Sequence, residues 1–186
     1  MDHIHRTCTA EDLHMIALDL NDRKTITSHL FLKDTFDHFC LIEGEIITFN
    51  AFHIDGRIRR DFFDADGSDS DPDGGGQARP DGYSYWERLR SHCLNLIRGK
   101  RTPLGFRFIF TLSPENIARL IKQNMPDLRP EDVQGLYLNF HFDGKTLTCV
   151  TGTSFKIFTP DRLLEHIWDE AVQKFFRQHQ IPFEIK

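Results

Sequence analysis

The chain has 186 residues, 39% of them apolar and 27% charged, which supplies one packed core and is short for two independent ones. No run approaches the roughly 18 to 20 consecutive apolar residues of a membrane-spanning helix, and residues 1–14 carry no apolar leader segment, so the expected address is cytoplasmic with no membrane partner. The formal charge of −5 is concentrated in residues 64–82, where six Asp accompany one Arg, and the rest of the chain sums to zero.

Residues 1–14 are polar and rich in capping residues, and are expected to form a flexible N-terminal extension, with Met15 a candidate first residue. Residues 16–20 read as a short apolar strand. Asn21 or Asp22 then caps a helix running to about Lys33, with Ile26, Leu30 and Phe31 on its buried side. Residues 39–42 and 46–54 are β-branched and aromatic, so they predict strands separated by a break at Gly44; Asp55-Gly56 predicts a tight turn into a further arm over 57–63. Residues 64–82 hold Gly, Asp, Ser and Pro but no large apolar side chain, and predict a disordered acidic insertion within a single domain spanning 15–186.

Beyond the insertion, Ser84 is the expected cap of a helix in which Trp86, Leu89, Cys93, Leu96 and Ile97 recur at helical spacing, with Gly99 as its stop. Residues 104–112 predict a strand with Phe106, Phe108 and Phe110 on one face. Ser113-Pro114-Glu115 starts a helix carrying Ile117, Leu120 and Ile121. Residues 136–142 alternate Leu136, Leu138, Phe140 and Phe142 with Tyr137, Asn139 and His141, and Asp143-Gly144 turns the chain into a strand over 147–158. A helix over 161–178 closes the fold. The fold class expected is α+β, with a mixed or mainly antiparallel sheet and helices packed on it. Strand, helix and paired strands occur twice in order, which suggests two β-α-β-β repeats.

Site chemistry is sparse in the sequence. Cys8, Cys40, Cys93 and Cys149 are scattered, with no C-x-x-C pair; Cys40, Cys93 and Cys149 read as structural thiols of a reducing compartment, and Cys8 lies in the expected N-terminal tail. Asp69-x-Asp71-x-Asp73-Gly74 matches half of a calcium loop, but position twelve falls on Pro80, so no metal site is expected there. Glu165, His166, Asp169 and Glu170 share the last helix; its expected buried stripe of Leu164, Ile167, Trp168, Ala171 and Phe175 puts His166 almost opposite, on a solvated face. His38 and His53 read as structural histidines. Thr151-Gly152-Thr153-Ser154 reads as a hydroxyl-rich bulge or turn between strand segments. The candidate ligand site is a basic turn, Arg98, Lys100 and Arg101, followed on the next strand by Arg107, an arrangement suited to contacting an anion; Arg57, Arg59 and Arg60 form a second basic patch. No nucleophile, dinucleotide or phosphate-loop motif is present, and no cofactor is expected.

The segments MIALDL (15–20), KDTFDHFCLIEGEIITFNAFHIDG (33–56), YSYWERL (83–89), LIRGKRTPLGFRFIFTLSPEN (96–116), TGTSFKIFT (151–159) and LEHIWDE (164–170) resemble a family of uncharacterised, clostridial-type bacterial proteins, a domain of unknown function. The resemblance implies a bacterial cytoplasmic protein and supplies neither activity nor site residues. Three readings of function stand. The first is a non-catalytic binding or interaction module with a protein partner. The second is a nucleic-acid-associated protein, from the similarity of a β-α-β-β layout to the half-unit of replication sliding clamps. The third is an enzyme with a dispersed active site.

Overall fold

The computed structural model describes residues 15–59, 82–156 and 162–186. In chain order the elements are β1 (Ala17–Asp19), α1 (Arg23–Phe31), β2 (Phe39–Ile47), β3 (Ala51–Asp55), α2 (Trp86–Ile97), β4 (Gly105–Leu112), α3 (Pro114–Asn124), β5 (Val133–Phe142), β6 (Leu147–Phe155), α4 (Leu163–Gln178) and β7 (Glu184–Ile185). The described strands form one seven-stranded sheet, β3-β2-β4-β5-β6-β1-β7, antiparallel at every pairing. This is the expected α+β class. The expectations for residues 1–14, for the acidic insertion with its half calcium loop, and for Arg60 lie outside the described residues.

Period-two alternation decides which face of the sheet is covered. Phe106, Phe108 and Phe110 of β4 face the same side as Leu138, Phe140 and Phe142 of β5, and all six are buried, while Arg107 and His141 point outward and are exposed. The four described α-helices pack on the buried side. Trp86, at the first turn of α2, sits 5.2 Å and 5.0 Å from the rings of Phe108 and Phe110, and its Nε1 donates to the Leu30 carbonyl of α1 at 2.6 Å. Phe36 meets Phe39, Phe110, Phe140, Phe175 and Phe176, so the aromatic side chains of both chain halves enter one core. Each such ring pair contributes about 0.5–1.5 kcal/mol beyond simple burial.

The two β-α-β-β runs share that sheet, yet they occupy unlike places in it. β1 lies between β6 and β7, four positions from β2, whereas its counterpart β4 lies between β2 and β5. The helix of the first run must therefore cross the sheet, while α3 leaves and returns at neighbouring strands.

Local differences from the sequence reading have packing causes. Gly44 does not break a strand: β2 runs straight through it, because the missing Cβ makes room for the Phe108 ring, which would lie 3.0 Å from such an atom. The hairpin turn comes instead at Thr48–Asn50, where the Thr48 amide donates to the Asn50 carbonyl at 2.9 Å. Asp55-Gly56 is not a hairpin. Gly56 passes so close to β2 that a Cβ there would be 1.8 Å from the Leu41 carbonyl oxygen, and its amide donates to Ile42 at 3.0 Å. Ser84 serves the sheet edge, its carbonyl accepting from Leu41, and Tyr85 takes the N-cap position of α2. The expected caps Asp22 and Ser113 do accept from Thr25 and Asn116. In α4 the fully buried stripe is Leu164, Trp168, Val172 and Phe176, with Asp169 beside it; Ile167, Ala171 and Phe175 are turned part-way out, toward α3.

Candidate functional site

The basic turn is placed by two backbone constraints. α2 ends at Ile97, where the Arg98 amide still donates to Leu94 at 2.8 Å before the chain becomes extended, and β4 begins at Gly105, which lies against the Phe142 carbonyl. Residues 98–104 therefore bridge at the end of the sheet that also holds the β2–β3 turn, the β5–β6 turn and the β1–α1 connection. Arg98, Lys100 and Arg101 are exposed there, and among the described residues none of them has a side-chain partner. Arg107 is not brought to them. It stands on the outer face of the sheet, with its guanidinium 2.9 Å from Glu43 Oε1. Of the second basic patch, Arg57 bonds Tyr83 and Arg59 lies 3.8 Å from Asp55, both toward the opposite end of β3.

One histidine meets a carboxylate on the outer face, His53 Nδ1 lying 3.6 Å from Glu45 Oε1. His53, Glu45, Arg107, His141 and Thr148 make one transverse row on the outer face, each opposite the next across neighbouring strands. His53 and His141 are three strand spacings apart, about 14 Å. A shallow hollow of about 280 Å³ opens at Glu45, Arg107 and His141. His166 is exposed on α4, behind the sheet, and His38 is exposed ahead of β2. Among the described residues no group of three or more His, Cys, Asp or Glu is placed to hold a metal ion.

The larger concavity lies between α3 and α4, a cleft of about 540 Å³. Its floor is apolar: Leu112 and Leu138 come from the sheet, Leu120 from α3, and Ile167, Ala171 and Phe175 from α4. The rim is polar, with Asn116, Arg119 and Gln123 on one side and Glu170, Lys174 and Gln178 on the other. The rotation of the α4 stripe creates this cleft, because it aims three apolar side chains at α3 instead of at the sheet.

Thr151, Asp169 and His29 are buried and committed to the fold, whereas Asp37 Oδ1 and Thr48 Oγ1 are buried with no hydrogen-bond partner among the described residues. Thr151, on the inward parity of β6, donates from Oγ1 to Asp169 Oδ1 at 2.5 Å and accepts from the Ile16 amide at 3.1 Å, fastening α4 and β1 to β6. Asp169 is only 7% exposed, so this carboxylate lies on the buried side of α4, away from the solvated face that holds His166. The inward register of Leu147, Cys149 and Thr151 is the sequence signal for it, since a buried hydroxyl requires a partner. His29, also buried, accepts from Lys33 Nζ at 3.0 Å through Nε2; its Nδ1 then carries the proton and donates to Thr35 Oγ1 at 2.7 Å. Burial first, then the charges of Lys33 and His179, hold its pKa below the ordinary imidazole value. Arg90 ties down the turn before β2, donating to the Lys33 carbonyl and lying 3.3 Å from Asp37 Oδ2. Burial raises the Asp37 pKa against the opposing charge of Arg90. Burial also pushes the Cys93 thiol up to about 12 and the Cys149 thiol upward.

The model of a family of unknown function, DUF5721, matches residues 29–184, from the middle of α1 to the first residue of β7. The chain belongs to that family. The match takes in the cleft, the basic turn and the Thr151–Asp169 pair of this DUF5721 domain. No curated protein and no solved structure matches it. Among the described residues no helix is long and apolar enough to cross a membrane.

Proposed function

We propose that this DUF5721 domain is a non-catalytic binding module that holds a protein partner in the cleft between α3 and α4. The observation that carries the reading is the apolar floor of Leu120, Ile167, Ala171 and Phe175 between two polar rims, an arrangement that accepts the apolar face of an amphipathic helix. Its volume of about 540 Å³ lies within the range of ligand clefts. The commitment of Asp169, Thr151 and His29 to internal hydrogen bonds supports a non-catalytic role, since groups fixed in that way are not presented to a substrate. The same proposal places the module in the bacterial cytoplasm, supported by the sequence resemblance and by the burial of Cys40, Cys93 and Cys149.

The test is to select helical peptides against the domain and map the bound site by amide chemical shifts. Binders are expected to shift resonances of α3 and α4, and Ala171→Arg, which fills the cleft from a half-buried position, is expected to weaken them at least tenfold with the melting temperature unchanged. Selected peptides that map elsewhere and ignore Ala171→Arg would remove the reading.

A further inference from the structure

The loop end of the sheet gathers cations and exposed apolar side chains in a way neither the core nor the helix cleft explains. Strand register fixes the arrangement. Ile47 stands opposite both Ala51 and Gly105, Phe106 opposite Phe142, Phe142 opposite Leu147, and Asp19 opposite Thr148, so the connections 48–50, 98–104, 143–146 and 20–22 leave the sheet side by side. Direct bonds join them. The Leu104 amide donates to the Ile47 carbonyl at 2.8 Å, Gly144 sits against the Leu104 carbonyl, and Arg23 Nη1 donates to the Lys145 carbonyl at 3.1 Å.

Two large apolar side chains project from this end: Phe49 is 87% exposed and Leu104 is 67% exposed. Phe49 is held outward by an edge contact with Phe52 at 6.0 Å. Around them stand Arg98, Lys100, Arg101, Arg23, Lys24 and Lys145. The carboxylates at this end are Asp22 and Asp143, each bonded within its own turn, with Asp19, 3.1 Å from Lys186 Nζ, and Glu184 at the far margin.

We infer that this end docks on an anionic lipid bilayer, with Phe49 and Leu104 entering the interface and Arg98, Lys100 and Arg101 meeting the headgroups. A bilayer fits better than a nucleic acid for two reasons. Phe49 and Leu104 stand 87% and 67% exposed in the connections beyond the strand ends, the placement an interfacial anchor needs, and Leu104 has no ring on which a base can stack. That no described helix crosses a membrane does not bear on this surface, because interfacial docking needs only side chains at the headgroup level.

The experiment is co-sedimentation of the full chain with vesicles of phosphatidylcholine alone, or with about 30% phosphatidylglycerol, at two salt concentrations. Binding is expected to the anionic vesicles only, and to weaken as salt rises. Lys100→Ala with Arg101→Ala should lower the partition about 25-fold, at about fivefold per cation. Phe49→Ala with Leu104→Ala should lower it about tenfold or more while leaving the salt dependence unchanged. All four positions are exposed, so circular dichroism of the variants should match the parent, and Ala171→Arg in the helix cleft should bind vesicles normally. Absence of binding at low salt, equal binding to both vesicle types, or capture of a 20-nucleotide oligomer by a chain that ignores vesicles would overturn the inference.

Discussion

Thr151 Oγ1 and Asp169 Oδ1 are 2.5 Å apart, joining the middle of β6 to the second turn of α4, with the Ile16 amide donating to the same hydroxyl. The bond is charge-assisted and buried, and its loss leaves a carboxylate with one donor fewer in the interior. Thr151→Val keeps the shape and removes the hydroxyl, and is expected to cost about 2–3 kcal/mol. Asp169→Asn retains an acceptor oxygen and should cost less. Urea unfolding of both variants checks the order; a Thr151→Val midpoint equal to that of the parent would show that the pair contributes nothing.

Much of the fold was legible wherever one residue's parity decided its surroundings. Phe106, Phe108 and Phe110 declared an inward face by alternation alone, and Asp143-Gly144 declared its turn: the Asp143 carboxylate accepts from the amides of Lys145 and Thr146, which holds its pKa at about 2, and Gly144 adopts φ +89°. What failed was set by distant chain. Gly44 reads locally as a break, and only the Phe108 ring across the strand shows why β2 needs it. Because the real turn is at 48–50, Phe49 leaves the strand interior the sequence reading gave it and becomes an exposed tip. The helix cleft depends on α3 and α4 meeting over β5, some fifty residues apart in sequence, and no local pattern carries that. The basic turn was visible as residues, but its apolar companions Phe49 and Leu104 were not.

His29 makes stability depend on pH. Its folded pKa is lowered by burial, then by Lys33 and by His179, so the unfolded chain binds the proton more readily than the fold does. Thr35, the remaining polar neighbour, takes the Nδ1 proton and favours the neutral ring. The contribution is therefore fully present above the unfolded value of 6.5 and is lost as pH falls below it toward the folded value. Between pH 7 and pH 5 the parent should lose stability more steeply than His29→Gln. Identical slopes for the two proteins would assign the pH dependence to other groups.

Gly56 tests whether the sheet edge tolerates any side chain where the chain passes β2. A Cβ at this position would lie 1.8 Å from the Leu41 carbonyl oxygen and 3.2 Å from that of Ile42, both backbone atoms of β2. Gly56→Ala is expected to cost about 3 kcal/mol or more, whereas Gly99→Ala, with nothing within 4 Å, should stay within about 0.5 kcal/mol of the parent. Thermal melts of the two variants side by side decide it; matching melting temperatures would mean the edge yields at little cost.

The thiols offer a check on the core that is independent of mutation. Cys40, Cys93 and Cys149 are buried, and burial raises the Cys93 pKa to about 12 and moves that of Cys149 upward. Attack on a disulfide reagent requires the thiolate, and at pH 8 a thiol titrating near 12 is ionised to roughly one part in ten thousand, apart from its steric protection. In the native protein these cysteines should therefore stay unlabelled by a small aromatic disulfide reagent over many minutes, and all should react at once in guanidinium. Mass spectrometry of the labelled peptides separates them from Cys8. Rapid native labelling of Cys93 or Cys149 would show that α2 or β6 opens far more often than a core closed by Trp86, Phe110 and Phe140 allows.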